Sequence, residues 1–195
     1  MSETLFGLVL AGGDSTRMQR DKALLAYHDQ PQLSWAYQLI APFCEETFIS
    51  VRNRQHDEVR DSLPRIEDEL SDSGPAAGLL AAAASAPEQA WLVVACDLPF
   101  LNEKTLDHLV KHRDPESMAT AFRSVNNRLP EPLCAIWEPA GLQLLREQVE
   151  GGLLCPRKAL VRADTRLLDP VSATALDNIN TPDEHKDAAR IIDSR

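Results

Sequence analysis

The chain has 195 residues, 44% apolar and 26% charged, a balance that fits one folded domain over residues 1–195 and argues against disorder. Its formal net charge of −10 disfavours a polynucleotide or an anionic membrane as partner, yet a local basic cluster can still hold a small anion. The apolar runs fall short of the roughly 20 residues of a spanning helix, Met1 to Leu5 lacks signal-peptide features, and Cys44, Cys96, Cys134 and Cys155 form no C-x-x-C pair, so a cytoplasmic protein with reduced thiols is expected.

Strand-like and helix-like patterns alternate along the chain. Leu5 to Ala11 (LFGLVLA) is a short apolar run ending at two glycines, the pattern of a buried parallel strand. A polar loop from Gly12 to Lys22 follows. Pro31 then opens a helical stretch, with Leu33, Ala36, Tyr37 and Ile40 at i, i+3, i+4 and i+7. Thr47 to Val51 reads as a strand, Gln55 to Leu63 as a short helix and Pro64 to Glu67 as a small strand. Pro75 starts an alanine-rich helix after the turn residues Ser71 to Gly74. Ala90 to Cys96 (AWLVVAC) is apolar throughout, hence central, with Asp97 at its carboxyl end. A helix is expected over Asn102 to His112, and strands over Ser117 to Arg123 and Leu133 to Glu138. Pro139 and Cys155–Pro156 precede two more helices, Leu167 and Leu168 suit an edge strand, and Thr181–Pro182 opens a terminal helix. Such alternation predicts an α/β three-layer sandwich around a mostly parallel sheet, which binds ligands at the carboxyl ends of its strands.

Two stretches at such strand ends carry chemistry. In the first, LAGGDSTRMQRDK from Leu10 to Lys22, Gly12 and Gly13 let backbone N–H groups approach a ligand without interference from Cβ. Arg17, Arg20 and Lys22 put three cations on one loop of an acidic chain, a seat suited to a triphosphate. Neither G-x-x-x-x-G-K-[ST] nor G-x-G-x-x-G is present, which sets aside the P-loop and the dinucleotide fingerprint. In the second, CDLPFL from Cys96 to Leu101, Asp97 stands between a buried strand and a proline-fixed turn. A hard oxygen ligand placed there suits Mg²⁺, which takes one or two carboxylates and completes its shell with phosphate oxygens and water. A helix cap or a turn aspartate is the plainer reading of the same residue.

Several residues stay open between a functional and a structural role. Asp68 is either a hydrogen-bond partner of a nucleotide or one of the surface acids from Glu67 to Asp72. Asn180 is a ligand contact, or an accessory to Thr181, which suits a helix N-cap. Arg157 and Lys158 either meet a second anionic substrate or are solvated. His28, His56, His108, His112 and His185 show no H-x-H or H-E-x-x-H pairing. Trp35, Trp91 and Trp137 suit packing better than base stacking.

With these motifs in view, the chain resembles the molybdenum cofactor guanylyltransferase family of MobA-like nucleotidyltransferases with a Rossmann-like fold. The likeness runs through LAGG at 10–13, Arg17, DKALL at 21–25, Ile66 to Asp68, Gly74 to Gly78, CDLPFL at 96–101, Glu131 to Leu133 and NINTP at 178–182. It implies that Leu10, Ala11, Gly12, Gly13, Lys22, Asp68 and Asp97 bind the nucleotide, with Asp97 also on Mg²⁺, and that Arg157 and Asn180 lie towards the pterin. It implies a catalytic set of Arg17, Lys22 and Asp97. GMP would pass from GTP to the phosphorylated pterin molybdopterin, with release of pyrophosphate and with transient contact to molybdoenzymes or cofactor-insertion proteins. Gly12 within LAGG favours guanine, where LAAG accompanies cytosine. Cytidylyl transfer to the same pterin, nucleotidyl transfer to a sugar or polyol phosphate, and a non-catalytic nucleotide-binding adaptor are the rival readings.

Overall fold

A computed structural model describes residues 4–11, 21–53, 55–68 and 74–194. Its backbone is a seven-stranded sheet. The strands are β1 (Leu5–Leu10), β4 (Glu46–Arg52), β5 (Arg65–Asp68), β6 (Ala90–Ala95), β7 (Ala119–Arg123), β8 (Pro130–Trp137) and β9 (Thr165–Leu168), in the spatial order β5-β4-β1-β6-β8-β7-β9. β2 (Ala26–Tyr27) and β3 (Gln30–Pro31) form a separate two-stranded hairpin, with His28 and Asp29 at positive φ in its turn. The sequence pattern does not announce this hairpin, because strands of two residues have no periodicity to read.

β1 pairs in parallel with β4 and β6, β4 with β5, and β7 with β9. β8 runs antiparallel to both β6 and β7. The mostly parallel sheet is therefore as the alternation predicts, with β9 at an edge. β8 begins three residues earlier than its apolar run, through Pro130 and Pro132, which have no ladder N–H to give. Beside it the pairing register shifts between Ala121 and Arg123, a local irregularity of the kind that absorbs such a defect.

Helices cover both faces. α1 (Gln32–Ile40), α2 (Glu58–Asp61) and α4 (Glu103–Lys111) lie on one face, where Leu33, Ile40, Val59, Leu106 and Leu109 pack against Val9, Ile49, Leu92 and Val94. α3 (Pro75–Ser85), α5 (Pro139–Glu150) and α6 (Pro156–Arg162) lie on the other, where Leu79, Leu142 and Leu160 pack against Leu8, Trp91, Val93 and Trp137. Successive residues of β6 serve opposite cores, Trp91 and Val93 on one side, Leu92 and Val94 on the other. That is why its sequence is apolar without interruption. Trp91 and Trp137 are core residues, as expected. α3 sits close to the sheet because Gly78 has no side chain: a Cβ there would meet Ser50 and come within 2.7 Å of Leu10.

α7 (Pro182–Asp193) closes the chain. Thr181 caps it and the Glu184 carboxylate accepts from the cap backbone N–H, a capping box, while Pro182 is tolerated in the first turn because an N–H there would have no partner within the helix. Its Ala188 joins Tyr27, Phe100 and Ile179 in a small third cluster, so α7 holds the β2–β3 hairpin against the turn after β6. No helix among the described residues is long and apolar enough to cross a membrane.

Candidate functional site

The chain leaves β1 for one side of the sheet, through β4 and β5, and later returns to place β6 on the other side of β1. The order therefore reverses between β1 and β6, and the crevice at such a reversal is where open α/β sheets take ligands. Leu10 and Ala95 are register partners at the carboxyl ends of these two strands, and the N–H of Cys96 donates to the Leu10 carbonyl at 3.2 Å. Both stretches singled out in the sequence meet here. Gly12, Gly13 and Arg17 lie outside the described residues.

Asp97 is the second residue after β6. Its Oδ2 stands 3.3 Å from the Lys22 ammonium and its Oδ1 accepts from the Asn178 amide at 3.3 Å. Lys22 also donates to the Asn180 side-chain oxygen at 2.6 Å. The backbone between the two asparagines is fixed from the same direction, since the Ile179 N–H donates to the Asp97 carbonyl at 3.1 Å. NINTP thus alternates its duties. Asn178 holds the carboxylate, Ile179 is buried in the third cluster, Asn180 holds the ammonium, and Thr181 caps α7. Lys22 and Asp97 keep side-chain exposures of 19% and 20%, so both are oriented by protein yet open to a ligand.

Lys22 is the first residue of a 3-10 turn, Lys22–Leu24, capped by the Asp21 carboxylate, which accepts from the Ala23 N–H at 3.0 Å. Asp21 also pairs with Arg60 of α2 at 2.8 Å, and the same guanidinium donates to the Ala11 carbonyl at 3.2 Å and pairs with Asp57. Near the pair, Tyr27 is pushed above the usual phenol range, first by burial and then by the charges of Asp97 and Glu184. The Cys96 thiol is raised to about 12, mainly by burial with Asp97 adding to it, so it stays protonated.

The remaining predicted residues sit further along the same edge. Asp68 ends β5, opposite Arg52 in the ladder; burial raises its carboxyl and the Arg52 charge opposes that. Three strand spacings of about 4.8 Å separate β5 from β6, so Asp68 lies roughly 15 Å from the mouth of β6 and does not join the Lys22–Asp97 group. Ala11 is buried, with its N–H on the Ser50 carbonyl at 3.0 Å. Arg157 binds the Pro130 carbonyl at 3.1 Å and the Glu131 carboxylate at 2.8 Å, tying α6 to the start of β8. Because β8 runs antiparallel to β6, that start overhangs the β6 mouth.

Asn178, Asp21, Asp57 and Arg60 are the residues that sequence reasoning missed. Asn178 had a signal, its place two residues before Asn180 in one motif. Arg60 had none, being one arginine on a four-residue helix.

Chemically, the site offers a cation and a carboxylate one hydrogen bond apart at a strand-end crevice. Among the described residues no three His, Cys, Asp or Glu side chains gather as a metal cage. Asp97 itself is a hard oxygen ligand of the kind a divalent cation takes together with water and phosphate oxygens.

Known proteins share this framework. A molybdenum cofactor biosynthesis bifunctional protein of Synechocystis sp. is 37% identical over 93% of this chain and 52% of its own length, so the chain spans about half of that relative. A probable molybdenum cofactor guanylyltransferase of Flavobacterium johnsoniae is 27% identical over 95% of this chain and 96% of that one. The crystal structure of molybdopterin-guanine dinucleotide biosynthesis protein A from Archaeoglobus fulgidus superposes with a TM-score of 0.80 at 24% identity, covering 98% of this chain and all of that one, a likeness of fold. Residues 7–166, which contain all but the first two residues of β1, the Lys22 turn, Asp97 and the rest of the sheet up to the start of β9, match the MobA-like NTP transferase domain, and the chain belongs to that family.

Proposed function

We propose that this chain is a molybdenum cofactor guanylyltransferase, moving GMP from GTP to molybdopterin with release of pyrophosphate. The observation that carries the reading is the Lys22–Asp97 pair, held by Asn178 and Asn180 over the β1–β6 crevice. The names of the relatives supply the substrates, and the site supplies groups suited to them.

The reaction needs no protein nucleophile, because the acceptor phosphate is already anionic. One of its oxygens bonds to the α-phosphorus of GTP while the bond to the β-phosphate oxygen breaks, and that electron pair departs with pyrophosphate. Repulsion between the two anions is the obstacle, so catalysis is positioning and charge neutralisation. Lys22, together with Arg17, takes the β- and γ-phosphates as charge develops on them. Leu10, Ala11, Gly12 and Gly13 present backbone to the nucleotide, and Asp68 serves its nucleoside end. Asn180 acts through Lys22, whose ammonium it orients. The residues present fit Mg²⁺, and Asp97 would hold it, with both oxygens paired to donors that a cation can displace. Mg²⁺ would neutralise phosphate charge there. The reading places the protein in the cytoplasm, handing its product to molybdoenzymes.

The test is a thermal-shift series with GTP, CTP, ATP and UTP in Mg²⁺, followed by product analysis with molybdopterin. A nucleotide at 100 times its Kd stabilises by about 2.7 kcal/mol. GTP is expected to stabilise most and to give the dinucleotide. Equal or greater stabilisation by CTP would move the assignment to cytidylyl transfer, and binding without product would favour the adaptor.

A further inference from the structure

Arg60 is 1% exposed, yet all of its polar contacts on the described residues lead to the ligand crevice or to the cap of its own helix. One terminal nitrogen, Nη2, donates to the Ala11 carbonyl at 3.2 Å and pairs with Asp21 at 2.8 Å; the other, Nη1, pairs with Asp57. Ala11 is the residue that follows β1. Asp21 is the cap of the turn that begins with Lys22. In sequence these two residues flank the glycine and arginine segment 12–20, so one planar fork joins the described residue before it to the described residue after it. Asp57 anchors the fork from below, since its carboxylate also accepts from the N–H groups of Val59 at 3.1 Å and Arg60 at 3.0 Å.

The burial is uneven. The guanidinium is covered, while Asp21 and Asp57 keep side-chain exposures of 31% and 24%. A covered arginine cannot touch a phosphate in the crevice, so Arg60 is not a direct ligand. An arginine stays charged when buried and offers several donors in a fixed plane, which suits joining three acceptors; a lysine ammonium is a single point on a flexible stem.

We propose that Arg60 is a positioning residue for nucleotide binding, locking the Lys22 turn to the end of β1 through Asp21 and Ala11 so that Lys22 is aimed before GTP arrives. This rests on the reading of Lys22 as a phosphate ligand. A direct electrostatic account of Asp21 gives the opposite sign. Asp21 is an anion next to a triphosphate seat, so removing its charge would tighten binding if the carboxylate acted only through the field. Under the lock, Asp21→Asn keeps the turn cap, weakens the hold of Arg60 and loosens binding.

The experiment measures nucleotide Kd by calorimetry, with Mg²⁺ and no acceptor, for wild type, Asp21→Asn, Arg60→Lys and the double variant. The nucleotide is whichever of GTP and CTP the wild type binds more tightly, so the result does not depend on the base assignment or on transfer. Each single variant is expected to raise Kd about tenfold, as a small misplacement of a binding group does, and the double variant to be no worse than either alone, the mark of one shared contact. Unchanged or tighter binding by Asp21→Asn, or effects that multiply in the double variant, would overturn the proposal. Hydrogen exchange in the nucleotide-free protein gives a second readout. The Leu24 and Leu25 amides, bonded to the Asp21 and Lys22 carbonyls, should exchange faster in Arg60→Lys while those of β6 are unchanged. Equal exchange in both segments would also overturn it, whereas a wild type that binds neither nucleotide, together with faster turn exchange in Arg60→Lys, would sink the transferase reading and leave the lock standing.

Discussion

Asn180 accepts a 2.6 Å hydrogen bond from Lys22 although the two are 158 residues apart in the chain. The contact exists because β1 and β6 are neighbours and the α7 cap folds back across their mouths. It makes Lys22 a braced side chain rather than a loose surface lysine. Lys22→Ala should raise the KM for GTP and slow transfer if the ammonium meets the departing phosphates, as proposed. It should also cost about 1 kcal/mol of stability, the worth of a charge-assisted hydrogen bond discounted for partial solvation. Steady-state kinetics and thermal melting separate the two effects.

Glu184 links α7 to the same group. Its carboxyl lies below the usual range chiefly because it accepts from the Asn180 N–H, and then from Thr181. A carboxylate held below its unfolded value contributes stability above that value and loses it as pH falls through the folded value. The cap should therefore be intact at neutral pH and weaken below about pH 4, where glutamates ordinarily protonate. The difference in melting temperature between wild type and Glu184→Gln should be present at pH 7 and vanish in acid. A difference that persists unchanged at pH 3 would contradict the assignment.

Two glycines report on how tightly the helices meet the sheet. At Gly141 a Cβ would run into the Met118 carbonyl, which is backbone and cannot swing away, whereas at Gly78 it would meet the side chains of Ser50 and Leu10. Overpacking commonly costs about 1–3 kcal/mol. Both glycines are helical, so the propensity gain of roughly 1 kcal/mol applies to each; Gly141→Ala should reach the top of the overpacking range and Gly78→Ala should cost less, because only at Gly78 are the neighbours side-chain ends that can rotate. Denaturant unfolding of the two variants checks the order.

The features of the fold and site legible in the sequence are those written into local pattern. Leu5 to Ala11 and Ala90 to Cys96 are unbroken apolar runs because both faces of their strands are covered, and that also marks Lys22 and Asp97 as mouth residues. Strand direction leaves no such mark. β8 is as apolar as its neighbours, and only the short reversal after Arg123, closed by the Ser124 N–H on the Leu129 carbonyl, turns it antiparallel. Nor does a buried charge. Arg60 lies inside because Asp21, Asp57 and Ala11 converge on it from three separate segments, a coincidence of tertiary structure. NINTP lies between these cases: the cap was readable from Thr181, but what Asn178 and Asn180 hold depends on where β6 ends.

The most direct test of the central claim is pyrophosphate release from GTP with authentic molybdopterin, compared between wild type and Asp97→Asn across a Mg²⁺ titration. Asparagine keeps the size of the side chain and the Asp97 backbone carbonyl that Ile179 uses, but it removes the charge that draws Mg²⁺ from its hydration shell. Turnover in the wild type, a loss of two orders of magnitude or more in a variant that remains folded, and little recovery at high Mg²⁺ are expected. Equal rates in the two proteins, or no turnover by a wild type that binds GTP, would contradict that claim.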